Sequence, residues 1–364
     1  MPSDVRILLV GTGVVGSAFL EIARGGLSSP LRIAAVANSR GVVAAPAGGS
    51  EVRAADLAEL LARPRTKTAA RIEDDLLDRF AGDGCVLVDA TAEDGISELY
   101  ERALARGIHV VTANKKPIAG PWAVRERLFD PARRSGRAQL RYEATVGAAL
   151  PVIDTLKNLI RTGDRVKRID CVLSGTLGFV CNEVAQGAPL SKVIATARER
   201  GYTEPDARED LRGADVARKT VILARELGAT IETGDVALEP FLPHDVLDAS
   251  SPETLERDVA RLDASFAANA ERLKRRNEKL VYLARVESAP DGGVTASAGP
   301  VAVPLSHPAA QLQGSSALVA FTTARHSPDP LVVRGSGAGG PVTASALLAD
   351  IFAATEAGRV HVSR

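Results

Sequence analysis

Near its N-terminus the 364-residue chain reads Val5-Arg6-Ile7-Leu8-Leu9-Val10-Gly11-Thr12-Gly13-Val14-Val15-Gly16. The apolar run predicts a strand over 7–10, and the residues that follow predict a helix over 15–24. Glycines between a strand and a helix allow a tight turn, close approach of a pyrophosphate, and close packing of the helix on the strand. This context favours a dinucleotide-binding turn over a purely structural one. The contacts it predicts come from Gly11, Gly13, Val14, Val15 and Gly16.

Short apolar runs and helical stretches continue to alternate as far as residue 150. The strands are predicted at 31–37, 86–90 and 109–112, and the helices at 56–62 and 96–106. The Gly-, Ala- and Pro-rich segment 40–49 is predicted to be a loop. Alternation of this kind is typical of βαβ units. We therefore expect an α/β fold with a Rossmann-type doubly wound parallel sheet.

The pattern changes after Leu150-Pro151. The elements predicted there are a helix at 152–160, a strand at 168–173, a helix from about 214, a charged helix pair or hinge at 253–280, strands at 279–287, 293–298, 316–323 and 331–333, and a helix at 342–351. The strands indicate a mixed or antiparallel sheet, and thus a second domain of α+β type. A glycine loop at 335–340 leads into the last helix.

The composition argues against several classes of function. Lys plus Arg balances Asp plus Glu at 45 each, which disfavours general attraction to nucleic acid or to a membrane surface. The chain lacks an apolar run of the roughly 18 residues that a membrane span needs, and the first apolar run ends too early for a signal peptide. Its three cysteines have no zinc spacing. They are expected to be unpaired thiols, and the cytoplasm is the expected compartment.

Polar residues after three predicted strands point to the cofactor. Asn38-Ser39-Arg40 stands where an acid usually accepts the ribose hydroxyls. Arginine suits a 2′-phosphate, so NADP(H) is favoured and NAD(H) is the alternative. Thr91-Ala92 and Lys115 follow the strands at 86–90 and 109–112, at the carboxyl edge of the sheet where ligands bind. We expect them beside the cofactor, although Lys115 in a simple turn is the other interpretation.

An acidic segment from Gly201 to Lys219 holds Glu204, Asp206, Asp210 and Asp215. Gly201 and Pro205 are expected to prevent a helix before Asp206. A helix from about Ala214 puts Asp215 and Lys219 four residues apart on one face. Such a face can bind a zwitterion, with carboxylates on its ammonium and a lysine on a carbonyl oxygen. The alternative is an acidic turn followed by a solvent-facing ion pair.

The chain resembles homoserine dehydrogenase over nearly its full length, in the short monofunctional form without an aspartate-kinase segment or a separate regulatory domain. The resemblance lies in the glycine motif at 11–16, Thr112–Lys116, the run Tyr142–Pro151, Ser174–Phe179, the acidic segment 201–219 and the glycine tail at 335–343. Two positions depart from the family pattern: Gly178 replaces a larger polar residue, and Pro341 enters the tail.

The resemblance implies NAD(P)-dependent interconversion of L-homoserine and L-aspartate 4-semialdehyde, in threonine and methionine biosynthesis. It implies Lys219 as the catalytic lysine and Lys115 as a second lysine beside the cofactor; which of them, or a bound water, transfers the proton stays open. The substrate residues it implies are Glu204, Asp215, Asp210, Gly175 and Thr176. The further cofactor residues are Gly201, Gly339 and Thr343.

The same resemblance implies a sodium site and a domain plan. Glu143 and the backbone carbonyls of Val146, Ala148 and Leu150 would hold the cation, the alternative being a plain linking loop. The tail helix would fold back, so that 1–150 plus 335–364 form the dinucleotide-binding domain and 151–334 the substrate and dimerisation domain. The strands near 279–333 would form a homodimer interface. The rival functions are another NAD(P)-linked dehydrogenase, acting on an amino-acid semialdehyde or an amino dicarboxylate, and a Rossmann cofactor sensor without turnover.

Overall fold

The structure is a computed structural model that describes residues 5–25, 27, 31–66, 72–82, 84–204, 206–248 and 251–356. These residues form two compact units. The first unit holds the described residues up to Ala149 and those from Ala338 onward, and the second holds Leu150–Gly337. Pro205, the predicted helix breaker, lies outside the described residues, as do 1–4 and 357–364 of the predicted nucleotide domain.

The described strands are numbered in chain order. They are β1 (Val5–Val10), β2 (Leu31–Asn38), β3 (Gly41–Ala44), β4 (Cys85–Asp89), β5 (His109–Thr112), β6 (Leu140–Arg141), β7 (Val166–Val172), β8 (Ala237–Leu238), β9 (Glu278–Ser288), β10 (Val294–Pro304), β11 (Ser316–Thr323) and β12 (Leu331–Ser336).

The described helices are numbered in the same way. They are α1 (Val14–Arg24), α2 (Ala54–Ala62), α3 (Asp74–Arg79), α4 (Ser97–Ala105), α5 (Lys115–Ala119), α6 (Trp122–Phe129), α7 (Ile153–Arg161), α8 (Gly175–Ala185), α9 (Leu190–Glu199), α10 (Ala207–Leu211), α11 (Ala214–Glu226), α12 (His244–Leu247), α13 (Pro252–Ala260), α14 (Asp263–Arg275) and α15 (Gly340–Glu356). None of them is long and apolar enough to cross a membrane.

The sheet of the first unit has the order β3-β2-β1-β4-β5-β6. All neighbours are parallel except β2 and β3, which form an antiparallel pair at the edge. The strand order reverses beside β1, and open α/β sheets bind ligands at such a reversal. The predicted Rossmann-type fold class is therefore confirmed. The loop predicted over 40–49 is wrong in part, because Gly41–Ala44 pairs with β2 to form β3.

The tail helix α15 belongs to the first unit and packs on α1. Its buried residues Ala344, Leu347, Leu348 and Ile351 join Phe19 of α1 in the core of this unit. Burial of such side chains stabilises the fold by about 25 cal/mol for each Å² of apolar surface removed from water. The last helix of the chain thus completes the unit that the first strand begins.

The sheet of the second unit has the order β12-β11-β7-β9-β10-β8. Its pairs are antiparallel except for β8 with β10, so it is a mixed sheet. Helices α8 and α11 pack on β9. The sequence analysis did not predict α8, because most of its side chains are buried and the helix has no polar face to create a period. The charged segment 253–280 forms two helices, α13 and α14, and then enters β9.

Candidate active site

The turn between β1 and α1, which we call the glycine turn (Gly11–Gly16), needs glycine at two positions. Gly11 has a φ of +95°, in the left-handed region that favours glycine. A Cβ atom there would lie 2.7 Å from Cγ2 of Thr91. A Cβ atom on Gly16 would lie 2.0 Å from the carbonyl oxygen of Gly11. These two glycines therefore let the helix start close against the strand.

Gly13 is different, because the space beside it is empty. Among the described residues, no heavy atom lies within 4 Å of the place that its Cβ would take. Gly13 is the N-cap of α1, and no side chain caps the helix there. The next residue, Val14, is 77 % exposed, so the helix start is open. Uncapped amides at an open helix N-terminus fit the phosphates of a dinucleotide.

The start of α15 lies against the start of α1. A Cβ atom on Gly340 would lie 2.8 Å from Cγ1 and 2.9 Å from the carbonyl oxygen of Val14. Gly339 has a φ of +117°, and its carbonyl oxygen accepts hydrogen bonds of 2.9 Å from the amide and the hydroxyl of Thr343. Pro341 falls in the first turn of α15, where proline is tolerated. Two helix N-termini, each with a positive dipole end, thus meet at the glycine turn.

The end of β2 presents the predicted ribose contacts. Asn38 donates a hydrogen bond from Nδ2 to Oγ1 of Thr12 at 2.8 Å, and its Oδ1 accepts one from the amide of Arg40 at 2.7 Å. Nε of Arg40 is buried and has no hydrogen-bond partner in the described part of the chain. A buried guanidinium donor without a partner is costly unless a ligand completes it. This position therefore fits an anionic group near the ribose.

The carboxyl ends of β4 and β5 carry Thr91, Ala92 and Lys115. Lys115 is the first residue of α5, whose N-cap Asn114 accepts a hydrogen bond from the amide of Lys116 at 3.1 Å. The Lys116 ammonium lies 2.7 Å from Oδ2 of exposed Asp94. The structure thus gives Lys116 a surface ion pair. Lys115 opens the helix at the edge where the sheet binds ligands.

The predicted catalytic lysine of the second unit is buried. Lys219 of α11 is 8 % exposed. Its Nζ lies 2.7 Å from Oδ2 of Asp215 and donates to the carbonyl oxygen of Leu173 at 2.7 Å. The pair is thus the i, i+4 ion pair of the prediction, but its lysine does not face solvent. An ammonium has three N–H donors, so one is left for a ligand as far as the described residues go.

Asp210 holds the loop that leads to this lysine. Its Oδ2 accepts from the amide of Glu204 at 2.8 Å, and its Oδ1 accepts from the hydroxyl of Thr176 at 3.2 Å. The Thr176 hydroxyl also lies 2.5 Å from the carbonyl oxygen of Tyr202. Burial raises the pKa of the Asp210 carboxyl, and the nearby charges of Glu204 and Asp215 raise it further. We call Glu204, Asp210, Asp215 and Lys219 the charged cluster.

Four other positions of the second unit that were singled out in the sequence have local roles. Asp206 caps α10 through the amide of Arg208 at 3.0 Å, so it acts in the helix rather than in the cluster. Gly175 opens α8, where Ser174 provides the cap. Gly201 has a φ of +67° and is exposed. Gly178 lies inside α8, buried, with a Cβ position 3.7 Å from Val172.

The predicted cation residues lie on a strained turn. Ala148 has a φ of +55° and follows Gly147 with a φ of +83°. Glu143 is buried, and its amide donates to Oδ2 of Asp350 at 2.9 Å. Val146 is fully buried in the same unit, whereas Leu150 belongs to the second unit. A positive φ is uncommon for a residue other than glycine, so Ala148 marks a conformationally constrained turn.

The described residues contain no group of three or more His, Cys, Asp or Glu side chains that could hold a metal. Cys85, Cys171 and Cys181 are free, as predicted, and all three are buried. Burial raises the pKa of Cys85 and of Cys181 to about 12, and raises that of Cys171 far above its usual value. Burial therefore disfavours the thiolate, which is the nucleophilic form, at all three positions.

The sequence analysis missed three groups that support the site. The Leu173 carbonyl cannot be recognised from sequence, because any residue supplies a backbone oxygen. Asn114 carried a signal, since asparagine before a short helix is a common N-cap. Asp89 and Tyr100 carried a weaker one: a carboxylate ends an otherwise apolar strand, where burial demands a partner.

Two family models match this chain. The family model described as homoserine dehydrogenase matches residues 151–352. The one described as homoserine dehydrogenase, NAD binding domain, matches residues 11–143. The homoserine dehydrogenase of Emericella nidulans is 35 % identical over 370 residues, which cover 98 % of this chain and 100 % of that protein.

Two further similarities extend the comparison. The chloroplastic bifunctional aspartokinase/homoserine dehydrogenase 2 of Zea mays is 34 % identical over 96 % of this chain, and the chain spans only 38 % of that protein's length. The crystal structure of a Candida auris protein of unknown function has a TM-score of 0.84 at 29 % identity, covering 97 % of this chain and 98 % of that one. The whole fold, and not one unit alone, is therefore shared.

Proposed function

This chain belongs to the homoserine dehydrogenase family, and we propose that it interconverts L-homoserine and L-aspartate 4-semialdehyde with a nicotinamide cofactor. The reaction is a step of threonine and methionine biosynthesis. The observation that carries the proposal is the buried ammonium of Lys219, held at 2.7 Å by both Asp215 and the Leu173 carbonyl. A lysine fixed in this way is suited to a reacting oxygen.

The cofactor of this proposal is NADP(H), with NAD(H) as the alternative. The open amides at Gly13 and Val14 and the second helix start at Gly339 would hold the pyrophosphate. The buried Arg40 Nε, lacking a partner in the described part of the chain, supports a 2′-phosphate. When bound, the nicotinamide exchanges a hydride with the carbon of the substrate alcohol or aldehyde. Thr91, Ala92 and Lys115 are assigned to its neighbourhood from the carboxyl-edge rule, and Gly201 and Thr343 from the family resemblance.

In this proposal, side chains of the protein supply the proton for the substrate oxygen and the positive charge that stabilises it. Hydride addition to an aldehyde leaves charge on oxygen, and a positioned ammonium can stabilise that charge and donate a proton. Lys219 has an N–H left for this purpose among the described residues, and Asp215 balances its charge. Lys115 is the other candidate donor. The pH dependence of kcat in Lys219 and Lys115 variants would distinguish them.

The substrate's ammonium is assigned to the carboxylates of Glu204 and Asp215. Asp210 positions the first of these by accepting the amide hydrogen of Glu204 at 2.8 Å. Thr176 ties Asp210 to the start of α8, whose first residue is Gly175. A fixed ammonium would determine which face of the substrate carbon is turned toward the nicotinamide. Orientation of the reacting groups in this way contributes to the rate.

The deciding experiment is a steady-state assay of the purified chain with L-homoserine and each oxidised cofactor. We expect NADP-linked oxidation of L-homoserine and a lower kcat/KM with NAD. Activity only on another amino-acid alcohol would favour the rival dehydrogenase. Tight NADPH binding without any turnover would favour the cofactor sensor, and either result would overturn the proposed reaction.

A monovalent cation and a dimer complete the proposal. Glu143 and the carbonyls of Val146, Ala148 and Leu150 are proposed to hold sodium, supported by the positive φ of Ala148. Exchanging sodium for tetramethylammonium at constant ionic strength should lower activity or the melting temperature, and indifference to the exchange would contradict the assignment. The homodimer is proposed to form through the strands near 279–333, where Val332 is 38 % exposed; sedimentation velocity tests it.

A further inference from the structure

Four polar residues connect the ends of β4 and β5 beneath the loops that carry Thr91 and Lys115. Oδ1 of Asp89 accepts from the amide of Thr91 at 2.8 Å, and its Oδ2 accepts from the hydroxyl of Tyr100 at 2.5 Å. The Tyr100 oxygen lies 2.8 Å from Oγ1 of Thr112, which accepts from the amide of Asn114 at 2.8 Å. We call Asp89, Tyr100, Thr112 and Asn114 the bridging network.

The direction of these hydrogen bonds follows from their two ends. The amide of Asn114 can only donate, so Oγ1 of Thr112 accepts there and keeps its own hydrogen for the Tyr100 oxygen. Tyr100 then donates its hydrogen to Oδ2 of Asp89. The hydroxyl hydrogens of Thr112 and Tyr100 are thereby each used once. Removing the Tyr100 hydroxyl would interrupt the series at its centre.

The network joins two loops that sequence places far apart. Asp89 and Thr112 are paired in the register of β4 and β5, and each ends its strand. Asn114 adds a second connection, because its Nδ2 donates to the carbonyl oxygen of Glu93 at 2.9 Å. Hydrogen bonds therefore connect the segment Thr91–Glu93 to the start of α5 in two ways, through the bridging network and through the Asn114 side chain.

Burying such a polar network inside an apolar core costs free energy. Asp89, Tyr100 and Thr112 are each 0 % exposed. Burial raises the pKa of the Asp89 carboxyl, which its hydrogen bonds to Tyr100 and Thr91 oppose. Apolar side chains would fill the same space without this cost. What they could not do is hold two loops in one relative arrangement by directed bonds.

We infer that Tyr100 and Asp89 are positioning residues for the nicotinamide end of the cofactor site. They act through the two loops, setting the spacing between Thr91 and Lys115, and do not contact the ligand themselves. The inference rests on the proposed function, because it takes Thr91 and Lys115 to be beside the cofactor. It predicts that the network controls cofactor affinity and kcat more than it controls the KM for homoserine.

The test is Tyr100→Phe in the full chain, which removes one hydroxyl and keeps the ring. We expect the Kd for NADPH, measured by nucleotide fluorescence, to rise about tenfold, with kcat lowered and the KM for homoserine within about twofold of wild type. The matched control is Tyr282→Phe in the second unit, where the lost hydroxyl donates to the Glu239 carbonyl at 2.9 Å. It removes a similar bond and should leave NADPH affinity unchanged.

Two outcomes would overturn the inference. One is a lowered melting temperature in Tyr100→Phe with unchanged NADPH affinity, which would mean a purely structural role. The other is an additive effect of Tyr100→Phe and Thr112→Val on NADPH affinity, because two substitutions that interrupt one series must be non-additive. If Tyr100→Phe does not fold, Thr112→Val alone should weaken NADPH binding, and an unchanged affinity would overturn the inference. Because binding needs no homoserine, a wild type that binds NADPH without turnover would refute the reaction and leave this test intact.

Discussion

The glycine turn of the first unit and the charged cluster of the second unit prepare for ligands by opposite means. The turn offers backbone amides and empty space, so that Gly13 has no described atom within 4 Å of its Cβ position. The cluster offers ionised side chains, so that Lys219 and Asp215 lie 2.7 Å apart. An added side-chain atom should therefore weaken ligand binding at the glycine turn, whereas removal of a charge should impair the function of the charged cluster.

Removing the lysine of the charged cluster should have the largest effect. In Lys219→Ala the substrate oxygen loses its proposed proton donor, and Asp215 loses its counter-charge. We expect kcat for homoserine oxidation to fall about 1,000-fold, within the range that general acids contribute. NADPH affinity should stay within about twofold of wild type, because Lys219 is not among the residues assigned to the nucleotide.

The control for that variant is Lys192→Ala, an exposed lysine on α9, which should leave kcat unchanged. Lys115→Ala gives the direct comparison between the two units: if Lys115 serves the cofactor, the KM for NADP should rise more than kcat falls. A Lys219→Ala enzyme with nearly normal kcat would show that the catalytic lysine has been assigned wrongly.

Adding one carbon to the glycine turn should have the next largest effect. Gly13→Ala places a Cβ in the empty space, with no described neighbour to clash with and an ordinary φ of −73°. The melting temperature should therefore change little. If phosphates occupy that space, the Kd for NADPH should rise about thirtyfold, equivalent to about 2 kcal/mol of overpacking.

A matched control exists in the second unit. Gly234 also has no described atom within 4 Å of its Cβ position and no left-handed φ. Gly234→Ala should alter neither NADPH affinity nor the melting temperature. Equal NADPH affinities for Gly13→Ala and wild type would mean that the open helix start is not where the cofactor binds.

The two regions also differ in how far sequence alone could predict them. Local backbone geometry requires glycine at positions 11 and 16, and the local sequence motif is therefore enough to predict it. The i, i+4 relation of Asp215 and Lys219 is equally local. Burial of Lys219 is not, because it depends on Leu173, which follows β7 and lies 46 positions away in the chain. For the same reason the sequence analysis took 41–44 for a loop: its pairing with β2 is a tertiary contact.

The bridging network shows the limit most clearly. Asp89 and Tyr100 are 11 positions apart, and Asp89 and Thr112 come together only when β4 and β5 pair. No sequence period or spacing predicts that these three residues lie together. A buried acid at a strand end was the one available sign, and it indicates a need for partners without identifying them.

Arg40→Ala should have a smaller effect, restricted to one cofactor. Loss of a charge-assisted hydrogen bond to the 2′-phosphate should raise the KM for NADP about tenfold and leave the KM for NAD nearly unchanged. The matched control is Arg53→Ala in the same unit, whose guanidinium pairs with Asp56 at 2.7 Å. Equal changes in the two KM values would remove Arg40 from 2′-phosphate recognition.

The smallest expected effect is on the pH dependence of folding stability, to which two carboxylates of the acidic segment, Asp210 and Asp206, contribute with opposite signs. Burial raises the pKa of Asp210, so its contribution to stability is present below the unfolded pKa of about 3.9 and is lost as pH rises through the folded value. Arg208 lowers the pKa of Asp206, so that contribution is present above the unfolded pKa and is lost as pH falls through the folded value. Denaturant unfolding should therefore show wild type losing stability relative to Asp210→Asn as pH rises, and relative to Asp206→Asn as pH falls. The same slope for both variants would mean that Asp210 is not held in a site that disfavours its charge, and the charged cluster would then resemble an ordinary solvated surface.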